Sequence, residues 1–247
     1  MMRRLLVINP NTSQSVSVLL QAHAQTAAGP GVQVHTVTAR FGAPYIACEA
    51  SYAVAAHATL DIWAASQAGD APAPDAVLIG CFGDPGLLAL RETSTAAVTG
   101  LAEAAFAEAA QHGRFAIVTG GERWKPMLAR LAHALGYGEA LAGIHTVLPT
   151  GAQLAADPVA AQALLAQACR DAAARFGVQA IILGGAGLAG IAAAIQPQLA
   201  VPVIDSVLAG TRHALHAAKA QAGATGRFDV TWQQVSPELT ALGSPLN

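Results

Sequence analysis

Ala76-Val-Leu-Ile-Gly-Cys-Phe-Gly-Asp-Pro-Gly86 runs four apolar residues into a glycine-rich turn. The chain repeats the pattern at Ala180-Ile-Ile-Leu-Gly-Gly-Ala-Gly-Leu-Ala-Gly190. Ala76, Gly80, Gly83, Gly86 and Ala89 recur 104 residues on as Ala180, Gly184, Gly187, Gly190 and Ala193. A looser echo joins Leu6-Val7 before Asn9-Pro10-Asn11-Thr12 to Ile117-Val118 before Gly120-Gly121-Glu122-Arg123. Glycines kept in register after apolar runs point to an internal duplication. Each half then has two strands that end in polar or glycine-rich loops.

Short apolar runs bounded by turn residues read as strands buried on both faces. They fall at Leu5–Ile8, Val32–Val37, Ala76–Ile79, Phe115–Val118, Ile144–Leu148, Ala180–Leu183 and Val201–Ile204. Alanine-rich helical stretches alternate with them, at about 13–28, 50–67, 98–112, 123–136, 157–176 and 206–221. Asp157-Pro158 supplies an N-cap and a first-turn proline, and Gly177 a stop signal. Alternating strands and helices predict an α/β fold with parallel sheets. Two such lobes facing each other form a cleft, because ligands of open parallel sheets bind beyond the carboxyl ends of the strands.

The 247 residues are 53% apolar and 11% charged, with 13 basic against 15 acidic side chains. That balance argues against a nucleic-acid partner, which calls for a basic surface, and against disorder. Alanine accounts for 59 residues, which favours helix and close packing. The longest apolar run, 180–195, is broken by four glycines and falls short of the roughly 20 residues of a membrane span. The N-terminal apolar run is too short for a signal-peptide core. Cys48, Cys81 and Cys169 have no metal or disulfide spacing, so no metal site is expected and a cytoplasmic location is. The alanine-rich helices permit close subunit packing without specifying it; the expected partners are a small-molecule ligand and further copies of the chain in a homo-oligomer.

Cys81 carries the chemistry. It follows a buried strand between two glycines that let a substrate approach the backbone, and the amides of Phe82 and Gly83 suit an anionic oxygen. A helix starting after Pro85 is expected to lower the thiol pKa. The alternative is a buried structural cysteine, the reading given to Cys48 and Cys169. Asn11 and Thr12 offer hydrogen bonds into the cleft while Ser13 caps the next helix. In the second half, Thr119, Gly120 and Gly121 suit a carboxylate or imide oxygen. Glu122-Arg123 reads equally well as an exposed pair. Gly185-Ala-Gly-Leu-Ala-Gly190 with Asp205 imitates a dinucleotide fingerprint. Its late position and the repeat explain those glycines otherwise. The histidines show no ligand spacing, and no phosphate-binding loop or hydrolase motif appears.

Leu6-Val-Ile-Asn-Pro-Asn-Thr-Ser13, Ile79-Gly-Cys-Phe-Gly-Asp-Pro-Gly86, Leu183-Gly-Gly-Ala-Gly187 and Val201-Pro-Val-Ile-Asp205 together resemble the aspartate/glutamate/hydantoin racemase superfamily. The likeness is to its hydantoin and allantoin racemase-like branch. The resemblance implies two pseudo-symmetric, flavodoxin-like α/β lobes, with residues 1–97 plus 206–247 in the first and 98–205 in the second. It also implies no cofactor, and two cysteines flanking the substrate's stereogenic carbon. Cys81 matches one of them. Gly185, beside Ala186 on the facing wall, stands where the resemblance places the other.

The expected function is therefore a cofactor-independent racemase or isomerase acting at the carbon alpha to a carboxylate or cyclic imide, with Cys81 as its single thiol acid/base. Hydantoin, allantoin or an amino acid is the type of substrate. A one-base decarboxylase, like the arylmalonate decarboxylases with their single cysteine on the opposite wall, is the second reading. A binding protein that has lost its chemistry is the third.

Overall fold

The computed structural model describes residues 2–68, 72–148, 153, 157–216 and 226–244. Two four-stranded parallel sheets carry the duplication. The first contains β1 (Arg3–Asn9), β2 (Val32–Thr38), β3 (Ala76–Ile79) and β4 (Ala97–Gly100), ordered β2-β1-β3-β4. The second contains β5 (Phe115–Gly120), β6 (Leu141–Val147), β7 (Ala180–Leu183) and β8 (Val203–Asp205), ordered β6-β5-β7-β8. The repeated segments thus hold the same place in their sheets, β3 beside β1 and β7 beside β5. Ile8 lies opposite Ile79 in one sheet and Val118 opposite Leu183 in the other. All four residues of β3 and of β7 are buried, the environment an uninterrupted apolar strand requires.

Helices α1 (Gln14–Ala28), α2 (Glu49–Ala68), α3 (Leu87–Thr93), α4 (Leu101–Ala110), α5 (Trp124–Ala134), α6 (Pro158–Phe176), α7 (Ile191–Ile195), α8 (Ser206–His216) and α9 (Pro237–Ala241) surround the sheets. The signals around α6 act as the sequence predicts. The Asp157 carboxylate accepts from the Ala160 amide, and Gly177 closes the helix in the left-handed conformation. A helix over 98–112 is corrected: Ala97–Gly100 is a strand, and the helix begins at Leu101. A segment of four residues is too short for periodicity to separate strand from helix. Pairing with β3 makes it a strand, and the first sheet thus runs on to Gly100. Residues 217–221 of the expected last helix lie outside the described residues.

The helix after the last strand of each sheet crosses to the other sheet. α4 packs on β7 and β8, while α8 packs on β3, β4 and α1. One apolar core therefore runs between the sheets, joining Leu5, Val7 and Leu78 to Phe106, Phe115, Ile117, Ile182 and Val207. Separate cores cover the outer faces, with Ile62, Trp63 and Leu90 on the first and Leu165, Cys169 and Ile191 on the second.

Two contacts close the lobes on each other at the strand ends, and both set an aromatic ring on a glycine. Phe82 of the first lobe lies on Gly184 of the second, so that a Cβ there would fall 2.3 Å from the ring. Trp124 of the second lies on Gly83 of the first, where a Cβ would fall 2.5 Å away. Rings this close leave room for hydrogen only. Gly184→Ala is therefore expected to destabilise the protein by about 1–3 kcal/mol through overpacking. Denaturant unfolding measures this, and an unchanged midpoint would contradict the contact.

Candidate active site

A cleft of about 420 Å³ lies where the strands of both sheets end. Asn11 follows β1, Gly80, Cys81 and Phe82 follow β3, Thr119 and Gly120 close β5, and Gly184 to Gly187 follow β7; all line the cleft. Thus Asn11, Cys81, Phe82, Thr119, Gly120, Gly185 and Ala186 come together as the sequence suggests. Thr12, Gly83 and Gly121 do not line it, because their backbones are engaged elsewhere. The Thr12 amide donates to the Ala43 carbonyl and the Gly121 amide to Val147. The Gly83 carbonyl accepts from the Tyr52 hydroxyl at 2.8 Å, and its amide serves the Asp84 carboxylate.

Committed hydrogen bonds also narrow what the lining residues offer. The Asn11 side-chain oxygen accepts from the Ser13 amide, which leaves its NH₂ group without a protein partner among the described residues. The Thr119 hydroxyl donates to the Gly184 carbonyl at 2.8 Å, tying β5 to the glycine-rich loop. Towards a ligand that hydroxyl keeps only acceptor lone pairs.

Cys81 is 9% exposed at the floor of the cleft. Burial pushes its thiol pKa well up, and the neighbouring Asp84 carboxyl adds to the rise. This corrects the expectation of a lowered pKa: desolvation and a nearby acid disfavour thiolate. Asp84 is itself buried, with its carboxyl pushed up to about 7 by desolvation against the amides of Ala102, Glu103 and Gly83. Through the first two amides, at 2.9 and 2.7 Å, it caps α4. Asp205 does the corresponding work in the second lobe. It accepts from Val207 and Leu208 at the start of α8 and from Gly190 at the end of the glycine-rich loop. Those bonds explain the apparent dinucleotide fingerprint. The acid holds loop and helix together and is occupied by backbone amides.

Sequence reasoning did not find the opposite side of the cleft. Val16 and Leu19 of α1, Pro44, Tyr45 and Ile46 of the loop between β2 and α2, and Trp124 of α5 also line it. The loop is held at several points. Arg40 pairs with Asp61 at 2.7 Å and with Glu238 at 3.0 Å, Ala43 accepts from Thr12, and Ser51 bonds Cys48 at the start of α2. The i, i+3 spacing of Val16 and Leu19 was the available signal, although it does not say which face meets a ligand. Tyr45 and Trp124 also border a second chamber of about 410 Å³ lined by Gly121, Glu122, Arg123 and Thr146. There Glu122 is held by Lys125 and Thr146. No Lys, Arg, His, Asp or Glu is among the described residues that line the main cleft. Among the described residues, no three His, Cys, Asp or Glu side chains are grouped to hold a metal ion.

Comparison with known proteins gives the class that this fold and site define. The Asp/Glu/hydantoin racemase family model matches residues 5–214, and the chain belongs to that family. A hydantoin racemase of Pseudomonas sp. is 33% identical over 209 residues, 84% of this chain and 83% of the relative. One from Paenarthrobacter aurescens is 35% identical over 212 residues, 85% of this chain and 88% of the relative. The solved structure of an allantoin racemase from Klebsiella pneumoniae superposes with a TM-score of 0.86 at 33% identity, covering 98% of this chain and 99% of that one. The protein is an enzyme of the racemase superfamily. No helix among the described residues is long and apolar enough to cross a membrane.

The three thiols differ in a way that can be measured. Half-exposed Cys48 has its pKa lowered, chiefly by the Ser51 hydroxyl and amide, with Arg123 contributing. Burial pushes Cys169 up to about 12. At neutral pH, iodoacetamide is expected to alkylate Cys48 first. Because Cys81 must lose its proton against a raised pKa, its labelling should climb about tenfold per pH unit through the alkaline range, in proportion to its thiolate. Mass spectrometry of the labelled peptides reads both, and Cys81 reacting first at neutral pH would reverse the assignment.

Proposed function

We propose that the protein is a racemase of neutral cyclic imides of the hydantoin and allantoin type, working at the ring carbon alpha to a carbonyl with Cys81 as a proton-transfer group. The observation that carries this reading is the uncharged lining of the main cleft. An amino-acid zwitterion or a malonate dianion would be desolvated there without a countercharge, which is costly. A hydantoin ring carries no full charge, and its carbonyls and N–H groups match the Asn11 amide and the free backbone groups of the strand-end loops. Val16, Leu19, Ile46 and Trp124 form an apolar surface for the ring substituent. The activities named for the similar hydantoin and allantoin racemases support the same substrate class.

Removal of the alpha proton leaves charge on the adjacent carbonyl oxygen as an enolate. Hydrogen bonds aimed at that oxygen in a site with little water lower the barrier. The Phe82 amide, next to Cys81, and the Asn11 NH₂ group are the donors we assign to this role. No organic cofactor or metal enters the scheme. The raised thiol pKa suits Cys81 to returning a proton, and the thiolate that removes one becomes commoner as pH rises. Three free thiols fit a reducing compartment such as the cytoplasm.

One-base decarboxylation is the second reading, favoured by Gly185 on the wall facing Cys81. The uncharged lining speaks against it, because its substrates carry two carboxylates. Restoring a thiol at Gly185 is a poor way to separate the two readings. Its φ of 146° is a conformation that L side chains rarely adopt, so Gly185→Cys strains the backbone whatever chemistry it adds.

Incubation in deuterated water tests the proposal directly. Deuterium is expected to enter the alpha position of substituted hydantoins or allantoin, and not that of free amino acids. Arylmalonates should release no carbon dioxide. Cys81→Ser, with unchanged circular dichroism, should slow exchange by about 10²–10⁴-fold. Exchange that survives this substitution, or a preference for the charged substrates, would overturn the proposal.

A further inference from the structure

Racemisation needs a proton delivered to the face opposite the one from which it was taken, and one thiol serves one face. The facing wall, Gly185 to Gly187, has no side chain that transfers protons. The other hydroxyls of the cleft are poorly suited. Thr119, Ser13 and Ser15 carry aliphatic hydroxyls, weak acids that need an adjacent base to activate them.

Tyr45 differs from them. Among the described residues lining the cleft it is the only ionisable side chain besides Cys81, and a phenol ordinarily titrates near pH ~10. It comes from the loop between β2 and α2. Its hydroxyl lies 3.9 Å from where a Cβ on Gly121 would stand, so it has crossed to the second-lobe loop. Cys81 belongs to the first-lobe loop after β3. The two groups are carried by separate loops of the first lobe, and the Tyr45 hydroxyl lies beside the strand-end loop of the second.

Resting on the reading of Cys81 given above, we infer that Tyr45 is the second proton-transfer group of the racemase, acting where the facing wall supplies no thiol. In one direction the alpha C–H bond breaks as the Cys81 S–H bond forms, and the electron pair passes to the carbonyl as an enolate. The Tyr45 O–H bond then breaks as a new C–H bond forms on the other face. Cys81 is left as thiol and Tyr45 as phenolate, the state that converts the opposite enantiomer by the same steps reversed.

The test uses each pure enantiomer of a benzyl-substituted hydantoin in deuterated water, followed by chiral chromatography and mass spectrometry. Tyr45→Phe removes one hydroxyl from a half-buried loop side chain, so folding should be retained. Its interconversion rate is expected to fall by about 10²–10⁴-fold in both directions, with KM little changed. The enantiomer that presents its proton to Cys81 should still take up deuterium with retention of configuration. That split is the signature of a lost second base, because a purely structural defect would slow exchange and inversion together. Racemisation by Tyr45→Phe at the wild-type rate, equal loss of exchange and inversion with a raised KM, or exchange without inversion in the wild type would each overturn the inference. Absence of Cys81-dependent exchange in the wild type would instead remove the proposed function beneath it, and shows without any substitution at Tyr45.

Discussion

The site depends on the reciprocal contact in which Phe82 lies on Gly184 and Trp124 on Gly83. Each ring comes from one lobe and each glycine from the other, so the contact sets the distance between the strand ends and hence the width of the cleft. Dispersion falls off steeply with separation, and a missing methyl group on each glycine lets ring and backbone meet without a gap. The same rings do further work. Phe82 packs edge-on against Phe106 in the shared core, and Trp124 meets Tyr52, whose hydroxyl holds the Gly83 carbonyl. Core, lobe contact and the loop that carries Cys81 are in this way continuous.

Buried acids organise the second level. Asp84 and Asp205 each take two helix-start amides and secure the loop that follows the third strand of their sheet. The arrangements are not copies: Asp84 lies in its loop, whereas Asp205 ends β8 and reaches back to Gly190. The duplicated lobes have kept the requirement and changed the residue that meets it. Asp84 has an electrostatic consequence as well, because its charge adds to the burial that holds Cys81 as a thiol. A thiol kept protonated by burial is a weak nucleophile at neutral pH.

The candidate site was legible to the extent that it lies on strand ends. Cys81, Phe82, Asn11, Gly185 and Ala186 could be placed because parallel strands deliver their C-terminal loops to one edge. Thr12, Gly83 and Gly121 sit in the same loops and miss the cleft. Whether a loop amide or carbonyl is free depends on partners such as Ala43 and Val147, which lie in other segments, and on the Asp84 side chain turning back on its own loop. Tyr45 and Ile46 were invisible for a related reason. Nothing in the local order of that loop says it folds over the cleft, and the ion pairs of Arg40 that anchor it come from residues far along the chain.

The sequence by itself determined the α/β class, the duplication and the place of Cys81 opposite a glycine, because local apolar runs and repeated glycines are properties of chain order. Only the tertiary structure decided the strand at Ala97–Gly100, the crossing of α4 and α8, the direction of the Cys81 pKa and the presence of Tyr45 in the cleft. Each of these rests on burial or on contacts between distant segments. A four-residue run becomes a strand by pairing, a thiol becomes a weaker acid by losing water, and a loop tyrosine reaches the site when its anchors close around it.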